Sequence, residues 1–275
     1  MVDLSWLLPH TPAFLLVLSR MTGLFLFAPM FGSNAIPRFI RVLFAFSLSL
    51  AIYPMLLEPT RDASGFLAPL FEHGLILWTL LPLMAVELLI GFVIGWCASL
   101  PLIGVQMAGH TMDQQMGLGL AQVLNPELGE QSGVLGEFLF VLALALFLLM
   151  GGHLILISTL IASFDNFPPG GFTGFQAIFE LAVAGVTLIT EMTIRVAAPL
   201  LALIFLETIA MGFVARTVPQ MNILSIGFAL RIVVGLAFIV LITSTIAAVY
   251  QDTMKDMLKM IMSLIAFQPD QVITP

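Results

Sequence analysis

QMAGHTMDQQMGLGLAQVLNPELGEQSG, running from Gln106 to Gly133, is the stretch on which the reading of this 275-residue chain turns. Long apolar runs lie on either side, and here the hydrocarbon-like pattern stops. The segment holds Asp113, Glu127 and Glu130, three methionines at Met107, Met112 and Met116, and glycines at Gly109, Gly117 and Gly119. Pro126 lacks a backbone donor and disfavours helix just before it. Leu118, Leu120, Val123 and Leu124 nevertheless keep the segment half apolar. Two readings fit: an ordinary surface connection, or irregular backbone that lies against protein or lines a cavity, where such irregularity is tolerated at membrane depth.

Working outward, 60% of the residues are hydrophobic and only 9% charged, against about one quarter charged in soluble domains. That balance predicts an all-α integral membrane-type bundle, or part of a hydrophobic assembly, with room for about six or seven spans of about 20 residues. A net charge of −7 argues against nucleic acid, which asks for basic stripes, and against a polybasic anchor on anionic lipid. The single Cys97 reads as a small core residue. The opening MVDLSWLLPHTP has no basic leader region, so the first apolar run is expected to stay in the mature protein.

Upstream of the break, residues 13–31 form an apolar run interrupted by Arg20. An arginine at a helix centre costs about 2.5–3.5 kcal/mol on insertion scales, so Arg20 should face protein, water or the interface. Arg38 and Arg41 open the next run and read as a membrane-surface anchor; residues 58–73 read as an interfacial loop. The run from Gly74 to Val105 carries Glu87, and its Gly91 and Gly95 form a small-xxx-small pair suited to close helix approach. Glu87 reads either as an ion site or, preferably, as the buried partner of an arginine such as Arg20.

Downstream, Phe138 to Phe164 has no charge and reads as the cleanest membrane helix, with Gly151-Gly152-His153 as a packing notch and His153 as hydrogen-bonded structure. DNFPPGGFTGF, Asp165 to Phe175, is a turn. The run Ala177 to Phe213 contains Glu180, Glu191, Arg195 and Glu207; Glu191 and Arg195 stand four apart with the acid first, and are expected to be buried and to neutralise each other. Pro199 is expected to kink or divide this run. ARTVPQMN, Ala215 to Asn222, is the next turn, followed by a long helix broken only by Arg231 and an amphipathic tail with Lys255 and Lys259 suited to an interface or a partner.

A six-span topology places Arg38, Arg41 and Arg216 on one side and Arg61, Lys255 and Lys259 on the other, which gives no orientation. Helices held mainly by neighbouring subunits would explain this. The histidines His10, His73, His110 and His153 form no metal motif, and no phosphate loop or nucleophile elbow is present. Neither a cofactor nor enzymatic activity is expected.

Three blocks then carry a resemblance: SRMTGLFLFAPMFGSNAIPRFIR (Ser19 to Arg41), MDQQMGLGLAQVLNP (Met112 to Pro126) and ARTVPQMNILSIGFALRI (Ala215 to Ile232). In this order the chain resembles the FliR/SctT family, the export-gate component of flagellar and injectisome type III secretion, with the second and third blocks tilting towards the flagellar branch. The resemblance implies one copy of the subunit in a closed helical hetero-oligomer with FliP-like and FliQ-like subunits. It further implies a FliP-like part over residues 1–185 and a FliQ-like helical hairpin with its tail over 186–275. FlhA- and FlhB-like export components, unfolded protein substrates and membrane lipid are the other implied partners. The implied location is the bacterial inner membrane at the flagellar basal body, largely above the bilayer plane when assembled.

On the same footing, the family's plug corresponds to residues 106–126, with Met107, Gly109, Met112, Asp113, Gln114, Gln115, Met116, Gly117, Leu118 and Gly119 as plug or gate residues. Adaptable methionines suit a seal that repacks, and glycines lower the torsional cost of movement. Arg216, Pro219, Gln220 and Asn222 are expected to fix the hairpin turn and its subunit contacts. Arg20, Glu87, Glu191 and Arg195 are the expected buried charges; Glu207 carries no assigned role. The competing expectation is a secondary transporter with Glu87 or Glu207 as a midplane ion site.

Overall fold

The computed structural model describes residues 10–29, 37–56, 77–118, 133–167, 175–218 and 223–266. Among them every regular element is an α-helix: α1 (Thr11–Phe27), α2 (Arg38–Leu56), α3 (Leu77–Met116), α4 (Val134–Leu149), α5 (Gly152–Asn166), α6 (Phe175–Thr217) and α7 (Ile223–Ala266). Four are long and apolar enough to cross a membrane, over Phe39–Leu56, Leu80–Met116, Glu180–Thr217 and Ile226–Met262; α4 and α5 make a fifth if counted as one broken span. The sixth span expected from the sequence is α1, whose 17 residues reach only about 26 Å at 1.5 Å per residue.

The largest departure from the sequence reading lies in the decisive stretch. α3 continues for 40 residues, about 60 Å, and passes straight through Gln106, so Gln106 to Met116 is regular helix and not irregular backbone. Methionine, glutamine and alanine are good helix formers, and Ala108, Met112 and Met116 recur at helical spacing on a buried side. Termination comes at Gly117, with φ +79. Its N–H bonds to the Gln114 carbonyl at 3.2 Å and the Leu118 N–H to the Asp113 carbonyl at 3.0 Å, the paired bonds of a Schellman stop with glycine in the left-handed position. Gly119 and residues 120–132 lie outside the described residues.

Further expectations change. The charge-free run is broken at Gly151, φ +71 and left-handed, between α4 and α5. A Cβ there would meet nothing within 4 Å, so this glycine serves the backbone angle and is no packing notch. His153 Nδ1 is buried with no hydrogen-bond partner among the described residues. Pro199, in contrast, does not divide α6, which runs through it for 43 residues; the apolar run on both sides outweighs one lost donor. The apolar side of the lysine-bearing end of α7, with Met254, Met257, Leu258 and Ile261, is buried within the chain and is not a free interfacial face.

The chain divides into two compact units: Met1–Ser99 with Gly151–Ala182 and Asp256–Pro275, and Leu100–Met150 with Val183–Lys255. In the first, α1 lies against α3 at backbone contact. A Cβ on Gly91 would collide with the Arg20 carbonyl and one on Gly23 with that of Leu88, while one on Gly95 would stand 2.8 Å from the Leu24 carbonyl. Phe14 meets Phe46 and Tyr53 edge-on, and His10 Nδ1 lies 3.0 Å from the Tyr53 hydroxyl, fixing α2 on α1. In the second unit α6 rests on α3 at Gly104, where the Thr193 hydroxyl donates to the Gly104 carbonyl at 3.2 Å.

Candidate functional site

In the first unit, the glycine contact of α1 with α3 brings Arg20 and Glu87 together. Arg20 Nε donates to Glu87 Oε2 at 2.5 Å, one terminal nitrogen to the Ser163 hydroxyl at 2.9 Å and the other to the Phe167 carbonyl at 3.0 Å. The guanidinium also stacks 4.0 Å from the centre of the Phe164 ring. Both charged side chains are 0% exposed. Taking two charges out of water costs several kcal/mol per ion unless the geometry is good and the remaining donors are used, and here each nitrogen of the planar fork has a partner. The knot thus locks α1, α3 and the end of α5 in register.

In the second unit, the last turns of α3 are held from two directions. Asp113 is buried, and its carboxylate accepts the N–H of Leu135 at 3.1 Å and of Gly136 at 3.1 Å, two of the otherwise unsatisfied donors at the start of α4. One turn earlier, His110 Nδ1 accepts the Gly133 N–H at 3.3 Å. The approach requires glycines: a Cβ on Gly109 would stand 2.6 Å from Gly136 Cα, and one on Gly136 would stand 2.9 Å from the His110 ring.

On the hairpin side, Arg231 of α7 donates from Nε to Glu207 Oε2 of α6 at 3.0 Å, from one terminal nitrogen to the Thr208 hydroxyl at 3.0 Å and from the other to the Gln115 carbonyl of α3 at 3.4 Å. That carbonyl sits in the last turn of α3, where unsatisfied oxygens favour a cation. Met116 packs against Gly235, where a Cβ would lie 2.7 Å from the methionine methyl, and Gly117 faces the Phe228 ring.

Of the expected plug residues, then, Met112, Asp113 and Met116 are buried in packing, while Met107, Gln114 and Gln115 are exposed. Met107, Thr111 and Gln114 recur at helical spacing along the less buried side of α3. Glu191 and Arg195 do form their ion pair, yet their side chains are 54% and 60% exposed. They are not buried charges among the described residues, where the side of α6 that carries them stays largely uncovered. Arg216 lies in the last turn of α6 rather than in a turn, and is exposed; Pro219, Gln220 and Asn222 lie outside the described residues. His110 and the Glu207–Arg231 pair were not legible as site residues. The available signal for the pair was their near-equal distance from the hairpin turn on its two arms.

Among the described residues no group of three or more His, Cys, Asp or Glu side chains is arranged to hold a metal ion. A family model described as bacterial export proteins, family 1, matches residues 11–257. The chain is 30% identical over 261 residues to the flagellar biosynthetic protein FliR of Bacillus subtilis strain 168, covering 93% of this chain and 95% of that protein. It is 30% identical over 253 residues to the protein of the same name from Escherichia coli K12, covering 92% of both. Over 193 residues it is 28% identical to the Yop proteins translocation protein T of Yersinia pestis, covering 67% of each. All three sequence blocks fall inside a match that spans most of the chain, and the flagellar relatives align over more than nine-tenths of their length: the chain belongs to the bacterial export proteins of family 1, the FliR/SctT family.

Proposed function

We propose that this chain is a core subunit of the flagellar type III protein export gate, lining and plugging a conduit for unfolded export substrates and nucleating flagellar assembly. As a family member it is a component of a type III export apparatus. The finer reading includes FliP-like and FliQ-like neighbours, a FliP-like part over residues 1–185 and a FliQ-like hairpin over 186–275. FlhA- and FlhB-like proteins are further contacts, at the basal body in the bacterial inner membrane.

One observation carries this reading. The apolar stretches of α6 and α7 extend over Glu180–Thr217 and Ile226–Met262, about 55 Å each, whereas the hydrocarbon core is about 30 Å thick. Even a tilt of about 40°, the upper end of what spanning helices adopt, covers only about 40 Å of helix. Phe205, Leu206, Phe213, Val240 and Leu241 are nonetheless exposed along them. Lipid cannot cover that length, and an exposed Glu191–Arg195 pair is costly in lipid, so neighbouring protein must. The stripe Met107–Thr111–Gln114 is the adaptable, weakly polar side of α3 that would face a passing chain.

The transporter reading finds less support, since Glu87 is engaged by Arg20 and Glu207 by Arg231. Co-expression with FliP- and FliQ-like proteins, followed by purification through a tag on this chain, tests the proposal. A large particle containing all three is expected. A stable lone protein that catalyses solute uptake after reconstitution, with uptake lost in Glu87→Gln, would replace it with the transporter.

A further inference from the structure

From the Glu207–Arg231 pair outward, the exposed surfaces of α6 and α7 change chemistry at the same level. Arg195 stands twelve residues along α6 from Glu207, and Thr243 twelve residues along α7 from Arg231. The arms run antiparallel with equal rise, so the two positions are level. Towards the turn, the next exposed charge on α6 after Arg195 is Arg216, 21 residues on, a rise of about 31 Å. Between them the exposed residues, among them Ala202, Phe205, Ile209 and Phe213, are apolar. The exception is Thr208, whose hydroxyl donates to the Ile204 carbonyl and accepts from Arg231. On α7 every exposed residue from Ile226 to Leu241 is apolar, and the exposed row then turns polar at Ser244 and Thr245.

We infer that the turn-side half of the hairpin is a lipid-facing belt, bounded by Arg195 at one bilayer surface and Arg216 at the other, and that the remaining half stands outside the bilayer. The belt has the thickness of a hydrocarbon core, about 30 Å. Arginines at its two edges keep their stems on apolar surface and their heads among phosphates. Within it the charged side chains, Glu207 and Arg231, are turned on each other, and every guanidinium nitrogen has a partner, as membrane-embedded charges require. Beyond Arg195 the exposed surface carries Glu180 and Glu191 on α6, and Asp252, Lys255, Asp256 and Lys259 on α7. A protein neighbour would not require the charge-free row to end level on both arms, nor to match this thickness.

Lipid is too thin to cover the whole hairpin but fits this half. Protein neighbours are then needed over the other half, where Val183 and Val186 are exposed. Arg231 lies near the middle of the belt and bonds the Gln115 carbonyl, so the end of α3 lies at that depth too. Its exposed Gln114 and Gln115 side chains need water or protein in front of them there. A water-filled conduit on that side would supply it; this consequence rests on the gate reading, while the belt rests only on the membrane location.

The test uses the purified complex in vesicles of phosphatidylethanolamine and phosphatidylglycerol, with spin labels on single cysteines in a Cys97→Ala background. Phe205→Cys and Val233→Cys lie level at the centre of the belt, and Val186→Cys and Asp252→Cys lie level beyond Arg195. Val186 and Val233 are 61% and 66% exposed, so exposure within the chain does not separate them. Collisions with oxygen, which concentrates among acyl chains, are expected to exceed those with a water-soluble nickel chelate at the two central positions. At the two outer positions oxygen is expected to lose that advantage. The wild-type chain gives a readout without substitution: a phospholipid with a photoreactive diazirine in its acyl chain is expected to label Ile194–Phe213 and Ile226–Leu241 and to spare Glu180–Glu191 and Asp252–Lys259. An oxygen-to-nickel ratio at the centre no higher than at Val186, central labels shielded from both reagents, or acyl labelling spread evenly along both arms would overturn the belt. Ion tightness of the same vesicles reports on the plug, so failure of the one is distinguishable from failure of the other.

Discussion

Arg231 and Glu207 face each other across the α6–α7 hairpin at 3.0 Å, and the same guanidinium reaches the Gln115 carbonyl at the end of α3. One cation thus ties both arms of the hairpin to the end of α3, the helix that leads into the segment proposed to form the plug. The Glu207 side chain is 9% exposed, so its charge depends on this partner.

Arg231→Met leaves that carboxylate buried without its cation and removes the donor to Gln115. A loss of about 2–4 kcal/mol of stability is expected, the scale for breaking a mostly buried pair. The double variant Arg231→Met/Glu207→Gln should recover part of it. A double-mutant cycle on thermal stability of the purified complex checks this; additive single effects would mean the two groups are not coupled.

At the Arg20–Glu87 knot the same logic applies with less water. Arg20→Met or Glu87→Gln alone is expected to cost about 3–5 kcal/mol, because each strands a buried partner. Arg20→Met/Glu87→Met should lie closer to wild type than either single change. Chemical denaturation in detergent, with helix content as the signal, distinguishes this coupling from simple loss of packing.

Glycines separate by mechanism. Gly91→Ala drives a methyl group into the Arg20 carbonyl and is expected to prevent α1 from docking, seen as low yield of the complex. Gly151→Ala has open space around it but a φ of +71, and is expected to cost about 1–2 kcal/mol. Gly212→Ala, helical and open, is expected to gain up to about 1 kcal/mol. Thermal midpoints of the three variants should fall in that order.

Sequence reading reaches far into this fold for identifiable reasons. Apolar runs between charged or proline-rich breaks mark the helices, and a costly arginine in such a run already demands a buried acid, which is why Arg20 and Glu87 could be paired on paper. It fails where helix propensity and glycine conflict. Met112 to Met116 favour helix, and only the Schellman stop at Gly117 decides where α3 ends, a matter of one backbone angle. It fails also for His110 and for Arg231, whose partners are backbone atoms or residues on another helix. The exposed Glu191–Arg195 pair shows a third limit: spacing predicts that two side chains meet, while burial depends on what covers them.

Methionines in the proposed gate segment should differ in kind. Met112→Ala and Met116→Ala remove fully buried side chains and are expected to destabilise by about 2–5 kcal/mol. Met107→Ala, at an exposed position, should leave the melting temperature of the complex nearly unchanged and act, if the stripe lines the conduit, on ion tightness. Melting curves and vesicle ion flux on the same three variants check the split.

The gate proposal itself is tested most directly by ion flux through vesicles that contain the assembled complex, comparing wild type with a chain lacking residues 119–126. The deletion leaves the Schellman stop, the Asp113 contact and the Arg231 contact in place, so assembly should persist at the wild-type level. A leak of small ions absent from wild type is the predicted result. Vesicles that stay as tight as wild type, around a complex assembled in normal amount, would contradict a plug in this segment.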